Sequence, residues 1–201
     1  MNLHCDLCDD FVNFEADFPL TLERQDGGLN SGDTLWLNAD FASVLDRQFR
    51  EDVRVGQGGG LLLLQVLEVD GGDTLRRPAG EVTYTAENAA LLPDRPNFTS
   101  PATTLRYSCT EEACRFRVGV RVDQPGEYLL EARAANFENV SGELNTCEQI
   151  TFTTTSIAMP QTPNVDSLVY APGADQLFSD ALQANRFGFE AGAPFVLFTV
   201  N

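Results

Sequence analysis

The sequence contains no lysine and only one histidine, His4, which stands close to the first residue. Without lysine the chain can form neither a Schiff base with a carbonyl substrate nor the phosphate-binding loop of nucleotide hydrolases. A serine or cysteine nucleophile needs an imidazole that the surrounding structure holds beside it, and His4 stands in a predicted tail. There is no Gly-x-Ser-x-Gly elbow either. We therefore predict that the protein is not an enzyme.

Long apolar runs and a surplus of positive charge are missing as well. Apolar runs such as Leu61–Leu64 have the length of a strand, whereas a helix that spans a bilayer needs about 20 apolar residues. Thirteen arginines stand against 30 acidic residues, which gives a net charge of −17. A protein that neutralises nucleic-acid phosphates needs the opposite balance. We expect no nucleic-acid partner, and membrane contact only through an N-terminal lipid anchor.

Alternation of apolar and polar residues is the main positive signal. From Arg115 to Val122 apolar residues alternate with arginines and a glycine, which is the period of a strand with one buried face. The residues 123–126 have turn chemistry, and alternation resumes after them up to Glu131. This pattern predicts an antiparallel hairpin around Pro125 and Gly126 at the centre of an all-β domain.

Similar short segments, separated by turn residues, recur along the chain at 11–14, 20–24, 33–39, 61–69, 81–86, 103–108, 148–155 and 194–200. They predict an antiparallel β-sandwich, immunoglobulin-like or related, of about nine or ten strands. Helix-like spacing at 41–49 and 175–185 predicts one or two short helices. We expect residues 1–10 to be an N-terminal tether and residues 11–201 to form a single domain.

The five cysteines favour disulfide bonds. Cys109 and Cys114 would close a hairpin, Cys8 would pair with Cys147, and Cys5 would be a free thiol or an acylated residue. A zinc site built from His4 and the cysteines is disfavoured, because the spacing of Cys109 and Cys114 is looser than in common zinc motifs. Cysteine use and β-rich content together favour export, with Met1 standing where a leader was removed.

A Gly-rich turn carries the candidate calcium ligands Asp26, Asn30 and Asp33. Calcium prefers oxygen ligands on such loops, but the spacing of an EF-hand is absent, and Asp-Gly turns are ordinary hairpin chemistry. We therefore predict no cofactor and keep calcium as an open alternative.

The candidate ligand-facing residues are Trp36, Arg115, Arg117 and Arg121. Trp36 alternates with Leu35 and Leu37, so we expect its ring on the outer face, where it could stack on a sugar. In so acidic a chain we expect the arginines to pair with carboxylates across strands, such as Glu131. An unpaired arginine row would instead suit an acidic partner.

Several local motifs occur in a recognisable order: the acidic lead-in with Cys5 and Cys8, the strand entry 32–36, the turn 125–128, a single Cys147 before a strand, and the closing strand 195–200. In this order the chain resembles a diffuse group of bacterial surface lipoproteins of the gliding and saccharide-degrading type. The resemblance implies export, an acylated N-terminal cysteine and no known activity. Short Asp-Thr-Leu and Asp-Ser-Leu motifs resemble the O-glycosylation signal of such bacteria, with Thr74 and Ser167 in predicted loops as acceptors.

These observations predict a non-catalytic protein, exported to the periplasm, the outer-membrane surface or the extracellular space. It would act as a structural or protein-interaction module, with a protein or a cell-surface polysaccharide as its partner. A carbohydrate-binding or calcium-dependent adhesion module is the main alternative. A hydrolase that uses a carboxylate pair is the third, since 30 acidic residues leave such a pair open.

Overall fold

The computed structural model describes residues 12–23, 29–72, 74–92, 102–139, 148–158, 169–170 and 195–201. Fourteen strands and no helix lie in these ranges. The strands are β1 (Val12–Leu22), β2 (Thr34–Phe41), β3 (Ser43–Leu45), β4 (Asp52–Arg54), β5 (Gly58–Asp70), β6 (Thr74–Arg76), β7 (Val82–Glu87), β8 (Ala89–Leu91), β9 (Ala102–Cys109), β10 (Cys114–Val122), β11 (Gly126–Asn139), β12 (Glu148–Ala158), β13 (Val169–Tyr170) and β14 (Phe195–Val200). The predicted all-β class is confirmed.

Twelve of these strands form one large, mainly antiparallel sheet, which curls into a half-barrel, and β3 pairs only with β4. The two-sheet sandwich is not confirmed. The helix predicted for 41–49 is absent, because Val44 is buried in β3 and pairs with Val53 of β4. The helix predicted for 175–185 lies outside the described residues. The described part of the chain has no helix long and apolar enough to cross a membrane.

The large sheet divides into two halves. In the first half the order is β12-β1-β2-β10-β7, and in the second it is β8-β9-β5-β11-β14, with β6 beside β5 and β13 beside β6. The ladder between β9 and β10 consists of a single pair, Cys109 and Cys114. Between β7 and β8 the chain passes from the first half to the second at Asn88, whose φ is 57°. Asparagine is one of the few residues that adopt this left-handed conformation at low cost.

The predicted hairpin of residues 115–122 with the segment after Gly126 is wrong. In the described sheet β10 pairs with β2, β7 and one residue of β9, whereas β11 pairs with β5 and β14. One row of β10 is buried, and the arginines of the other row are exposed or half-buried, whereas Leu129, Leu130 and Glu131 of β11 are all buried. A strand covered on both faces belongs in a different layer from a strand with a solvent face.

A corner separates β10 from β11. The hydroxyl of Tyr128 donates a hydrogen bond to the backbone oxygen of Gln124, at 3.0 Å, and the tyrosine is buried. A tyrosine near a strand start that bonds back to the preceding corner is known from Greek-key sandwiches. The turn chemistry at 123–126 was therefore predicted correctly, but the turn leads to another part of the sheet.

Aromatic side chains from both halves fill the core. Phe18 of β1 lies 5.1 Å from Tyr107 of β9 and 6.1 Å from Phe116 of β10, measured between ring centroids. Burying a side chain of this size contributes roughly 1.5–3 kcal/mol. Burial also raises the pKa of the Tyr107 hydroxyl, so this ring stays neutral. A smaller apolar cluster lies in the second half and consists of Leu67, Leu75, Leu129 and Phe195.

Candidate interaction face

The outer side of β1, β2, β10 and β7 brings together the four residues that the sequence suggested as ligand-facing: Trp36, Arg115, Arg117 and Arg121. We call this surface the arginine face. β10 runs antiparallel to β2 with Gly119 opposite Trp36, so the arginines lie beside and beyond the indole. Residues two apart on a strand share a face, which explains why the alternating sequence placed them correctly.

Arg117 is the centre of the arginine face. Its guanidinium lies over the ring of Trp36, 4.2 Å from the centroid. Two nitrogens of the same group bond to the two carboxylate oxygens of Glu87 on β7, at 2.6 and 2.7 Å. A third nitrogen lies 3.6 Å from Glu23. Arg117 therefore connects side chains from β2 and β7 with Glu23, which directly follows β1.

The ion pair with Glu87 shifts both pKa values. The hydrogen bonds from Arg117 lower the pKa of Glu87, and the same bonds raise the pKa of Arg117. A bidentate contact of this kind also fixes the plane of the guanidinium. The arginine is thus held in one orientation above the indole ring.

The other two arginines of β10 also contact carboxylates of this chain. Arg115 lies 3.0 Å from Asp40, and Arg121 lies 2.8 Å from Asp123. The expectation that own acids pair with the arginines therefore holds, but the predicted partner Glu131 is wrong, since it is buried in β11. An exposed pair contributes little stability, so these contacts mainly order the side chains.

Gly119 is a residue of this face that the sequence reading missed. A Cβ placed there would lie 2.6 Å from Thr34, 2.6 Å from Thr85 and 3.0 Å from Trp36. The missing side chain at Gly119 thus leaves room for the Trp36 ring of β2. An aromatic ring that packs over a glycine of the neighbouring strand compensates for the missing side chain. The available signal was a single glycine inside an otherwise strictly alternating strand.

The candidate calcium turn is occupied by its own hydrogen bonds. Asp33 Oδ2 accepts hydrogen bonds from the backbone nitrogen of Asn30 at 2.8 Å and from the Asn30 amide nitrogen at 3.1 Å. Asn30 therefore presents a donor to Asp33, whereas a calcium ligand must present an oxygen. Asp26 lies outside the described residues. No group of three metal-binding side chains occurs among the residues that the structure describes.

The structure describes two of the five cysteines, Cys109 and Cys114. The sulfur atoms of Cys109 and Cys114 lie at disulfide distance, as predicted, and their Cα atoms are 4.2 Å apart. Cys5, Cys8 and Cys147 lie outside the described ranges, as does His4. The Cys8–Cys147 pair, the acylated or free Cys5 and the disfavoured zinc site therefore remain predictions.

The glycosylation candidates also differ in their setting. Thr74 is not in a loop, as predicted, but in β6, where it pairs with Asp70 of β5 and Val169 of β13. Its side chain is half-buried. β6 forms a short hairpin with β5. The sequence did not reveal this strand, because its three residues are too few to show a period of two. Ser167 lies outside the described residues.

Asp46 is a buried carboxylate that the sequence reading did not single out. It accepts hydrogen bonds from the backbone nitrogens of Glu15, at 2.8 Å, and of Phe49. These bonds tie the β3–β4 turn to β1 and hold the exposed ring of Phe49 against Phe14, with centroids 6.1 Å apart. The role of Asp46 is therefore to order this turn.

Comparison with protein-family models, with curated proteins and with solved structures finds no match to this chain. The fold and the arginine face are therefore the basis on which a function can be proposed. The resemblance to bacterial surface lipoproteins stays a prediction.

Proposed function

We propose that the protein is a non-catalytic, exported component of the cell envelope or cell surface, which acts as a structural or protein-interaction module. The observation that carries this proposal is the arginine face. Arginine and tryptophan are enriched among the residues that contribute most to protein interfaces. On this face Arg117 and Trp36 are held in one arrangement by Glu87. Such preorganisation lowers the entropy cost of binding.

The position of Arg117 favours a protein partner over a sugar. A sugar that stacks on tryptophan needs a free ring face. One face of the Trp36 ring is covered by the guanidinium of Arg117, which is itself ion-paired with Glu87. A sugar that stacks on this face would have to displace Arg117 from both Trp36 and Glu87.

The Cys109–Cys114 pair supports export. Both cysteines are buried and their sulfur atoms lie at disulfide distance. Structural disulfides form and persist mainly outside the reducing cytosol. A disulfide between Cys109 and Cys114 would therefore persist in an oxidising compartment outside the cytosol.

We also propose the finer architecture of an immunoglobulin-like sandwich, made from the two halves of the curled sheet. Two observations support it. The Tyr128 corner is typical of Greek-key sandwiches. In addition, Phe18 from the first half contacts Tyr107 from the second half, as expected where two inner faces meet.

The binding proposal can be tested by retention of the full chain on envelope fractions from the source cells. The test variant, Arg115→Ala with Arg121→Ala, removes exposed arginines from the arginine face. The control variant, Arg106→Ala with Arg133→Ala, removes two exposed arginines of the second half. We expect the wild type and the control to sediment with the envelope and the test variant to be released several-fold more.

Treatment of the envelope separates the two kinds of partner. Protease digestion should abolish retention, whereas periodate oxidation of glycans should leave it unchanged. Loss of retention only after periodate would assign a polysaccharide partner and contradict the protein proposal. Equal retention of both variants would show that the arginine face is not the binding surface.

A further inference from the structure

β9 and β10 diverge directly after one pair of facing residues. Cys109 and Cys114 are the only residues that pair between these strands in the described sheet. Beyond them β9 follows β5 and β8, whereas β10 follows β2 and β7. Among the strands that the structure describes, this is the one ladder that joins the two halves, and it is closed by two cysteines whose sulfur atoms lie at disulfide distance.

An aromatic cluster lies directly behind this pair. Tyr107 and Phe116 stand two residues inward from the cysteines on β9 and β10, and their rings stack at 5.1 Å. Residues two apart on a strand share a face, so the cysteines cover the open end of this stack. All four side chains are buried. Separation of β9 from β10 would therefore expose aromatic surface drawn from both halves.

The turn between the cysteines is ordered by its own bonds. Thr110 Oγ1 accepts hydrogen bonds from the backbone nitrogens of Glu112 and Ala113, at 3.2 and 3.3 Å. Arg54 of β4 donates to the backbone oxygen of Glu111 at 2.9 Å. These contacts hold the turn itself, but they do not pair β9 with β10. Beyond the cysteines β9 and β10 do not pair with each other in the described sheet. Instead β10 pairs with β7, and β9 pairs with β8.

We propose that the Cys109–Cys114 disulfide is a redox-sensitive clasp, which holds the two halves together where β9 and β10 meet. A dithiol can open it by thiol–disulfide exchange. One thiolate of the dithiol attacks a cysteine sulfur, forms a mixed disulfide and releases the other cysteine as a thiolate. The second thiolate then closes the disulfide of the reagent and releases the first cysteine. The clasp gains two electrons and two protons, and the dithiol loses them. The clasp needs no binding partner, so it does not rest on the proposed function.

The clasp can be tested by hydrogen exchange with mass spectrometry. A full-length variant with Cys5→Ser, Cys8→Ser and Cys147→Ser keeps only the two clasp cysteines. On addition of dithiothreitol we expect several-fold faster exchange in peptides that cover 102–109 and 114–122. Peptides that cover the β5–β11 ladder should change much less.

Two further variants separate loss of the disulfide from loosening of the turn. Cys109→Ser with Cys114→Ser supplies the open form without a reductant and should reproduce the exchange pattern of the reduced protein. Thr110→Val loosens the turn but keeps the disulfide, so its strands should stay protected while the protein is oxidised. Unchanged exchange of β9 and β10 in the serine variant would overturn the proposal. Equal acceleration in all peptides would overturn it too, because it would indicate a general loss of stability. Failure of dithiothreitol to reduce the folded protein would refute the redox sensitivity.

Discussion

Replacing Gly119 with alanine tests whether Trp36 keeps its position because the strand beside it has no side chain at that point. The added Cβ would lie 2.6 Å from Thr34 Cγ2, 2.6 Å from Thr85 Oγ1 and 3.0 Å from Trp36 Cζ3. Non-bonded carbon atoms prefer separations of about 3.5–4.0 Å. Because the crowding atoms come from strands on both sides, no single side-chain rotation relieves it.

Two opposing effects determine how much Gly119→Ala changes the free energy of unfolding. Overpacking typically costs about 1–3 kcal/mol. Replacing glycine by alanine also restricts the unfolded chain, which stabilises by about 0.4–1 kcal/mol where the backbone tolerates the change. Gly119 lies inside β10, so its backbone suits alanine. We expect a net loss of roughly 1–2 kcal/mol, which is about 5- to 30-fold in the unfolding equilibrium.

The assay is urea denaturation followed by the fluorescence of Trp36, the one tryptophan of the chain. With a slope of about 1–3 kcal/mol per molar urea, the midpoint should fall by roughly 0.3–2 M. The native emission maximum should also shift, because Arg117 can no longer cover the displaced ring in the same way.

Gly71 provides the matched control. A Cβ at Gly71 meets no atom within 4 Å, but its φ is +64°. Gly71→Ala should therefore destabilise through the backbone and leave the Trp36 emission unchanged. Adding Thr34→Ser to Gly119→Ala removes one crowding atom and should recover part of the loss. Gly119→Ala with the wild-type midpoint and wild-type emission would refute the reasoning.

Three further predictions concern the corner, the passage between the halves and the main ion pair. Tyr128→Phe loses the hydrogen bond to Gln124 and should cost about 1 kcal/mol in urea denaturation; wild-type stability would speak against the corner. Asn88→Gly should stay within about 0.5 kcal/mol of wild type, whereas Asn88→Val should lose about 1–2 kcal/mol at a φ of 57°; equal effects would contradict the role of φ. Arg117 lowers the pKa of Glu87 from its ordinary value of 4.5. The pair therefore stabilises the fold above that value, and this contribution is lost as pH falls through the lowered pKa. Glu87→Gln should make thermal stability less dependent on pH in the acid range, and parallel curves for both proteins would contradict this.

The strands that the sequence predicted well are the long alternating ones. The predicted segments 33–39 and 61–69 correspond to β2 and β5, and 103–108 to β9, because each strand is long enough to contribute several apolar side chains to the core. The strands β3, β4, β6 and β8 have three residues each, which is too short for a period of two to be visible. Alternation therefore locates strands only above a certain length.

Pairing was much harder to predict than strand position. The turn chemistry at Pro125 suggested a hairpin, yet β11 belongs beside β5 and β14. Turn residues determine where the chain changes direction, whereas the partner depends on which faces are buried. The arginine face shows the same limit. Its members follow from the alternation on β10, but Glu87 and Asp40 could not be assigned as partners before the neighbours of β10 were known.

The parallel pairing of β1 with β12 has a consequence for the timing of folding. Val12 pairs with Glu148, and Leu29 forms a bridge with Val200. Ribosomes add about 5–20 residues per second, so the apolar face of β1 waits several seconds for its neighbour to be made. Pairings this distant in sequence also form slowly. We expect the nascent chain to complete its large sheet only after β12 and β14 have been synthesised, although the ladders of β10 with β2 and of β5 with β9 need no residue beyond 122.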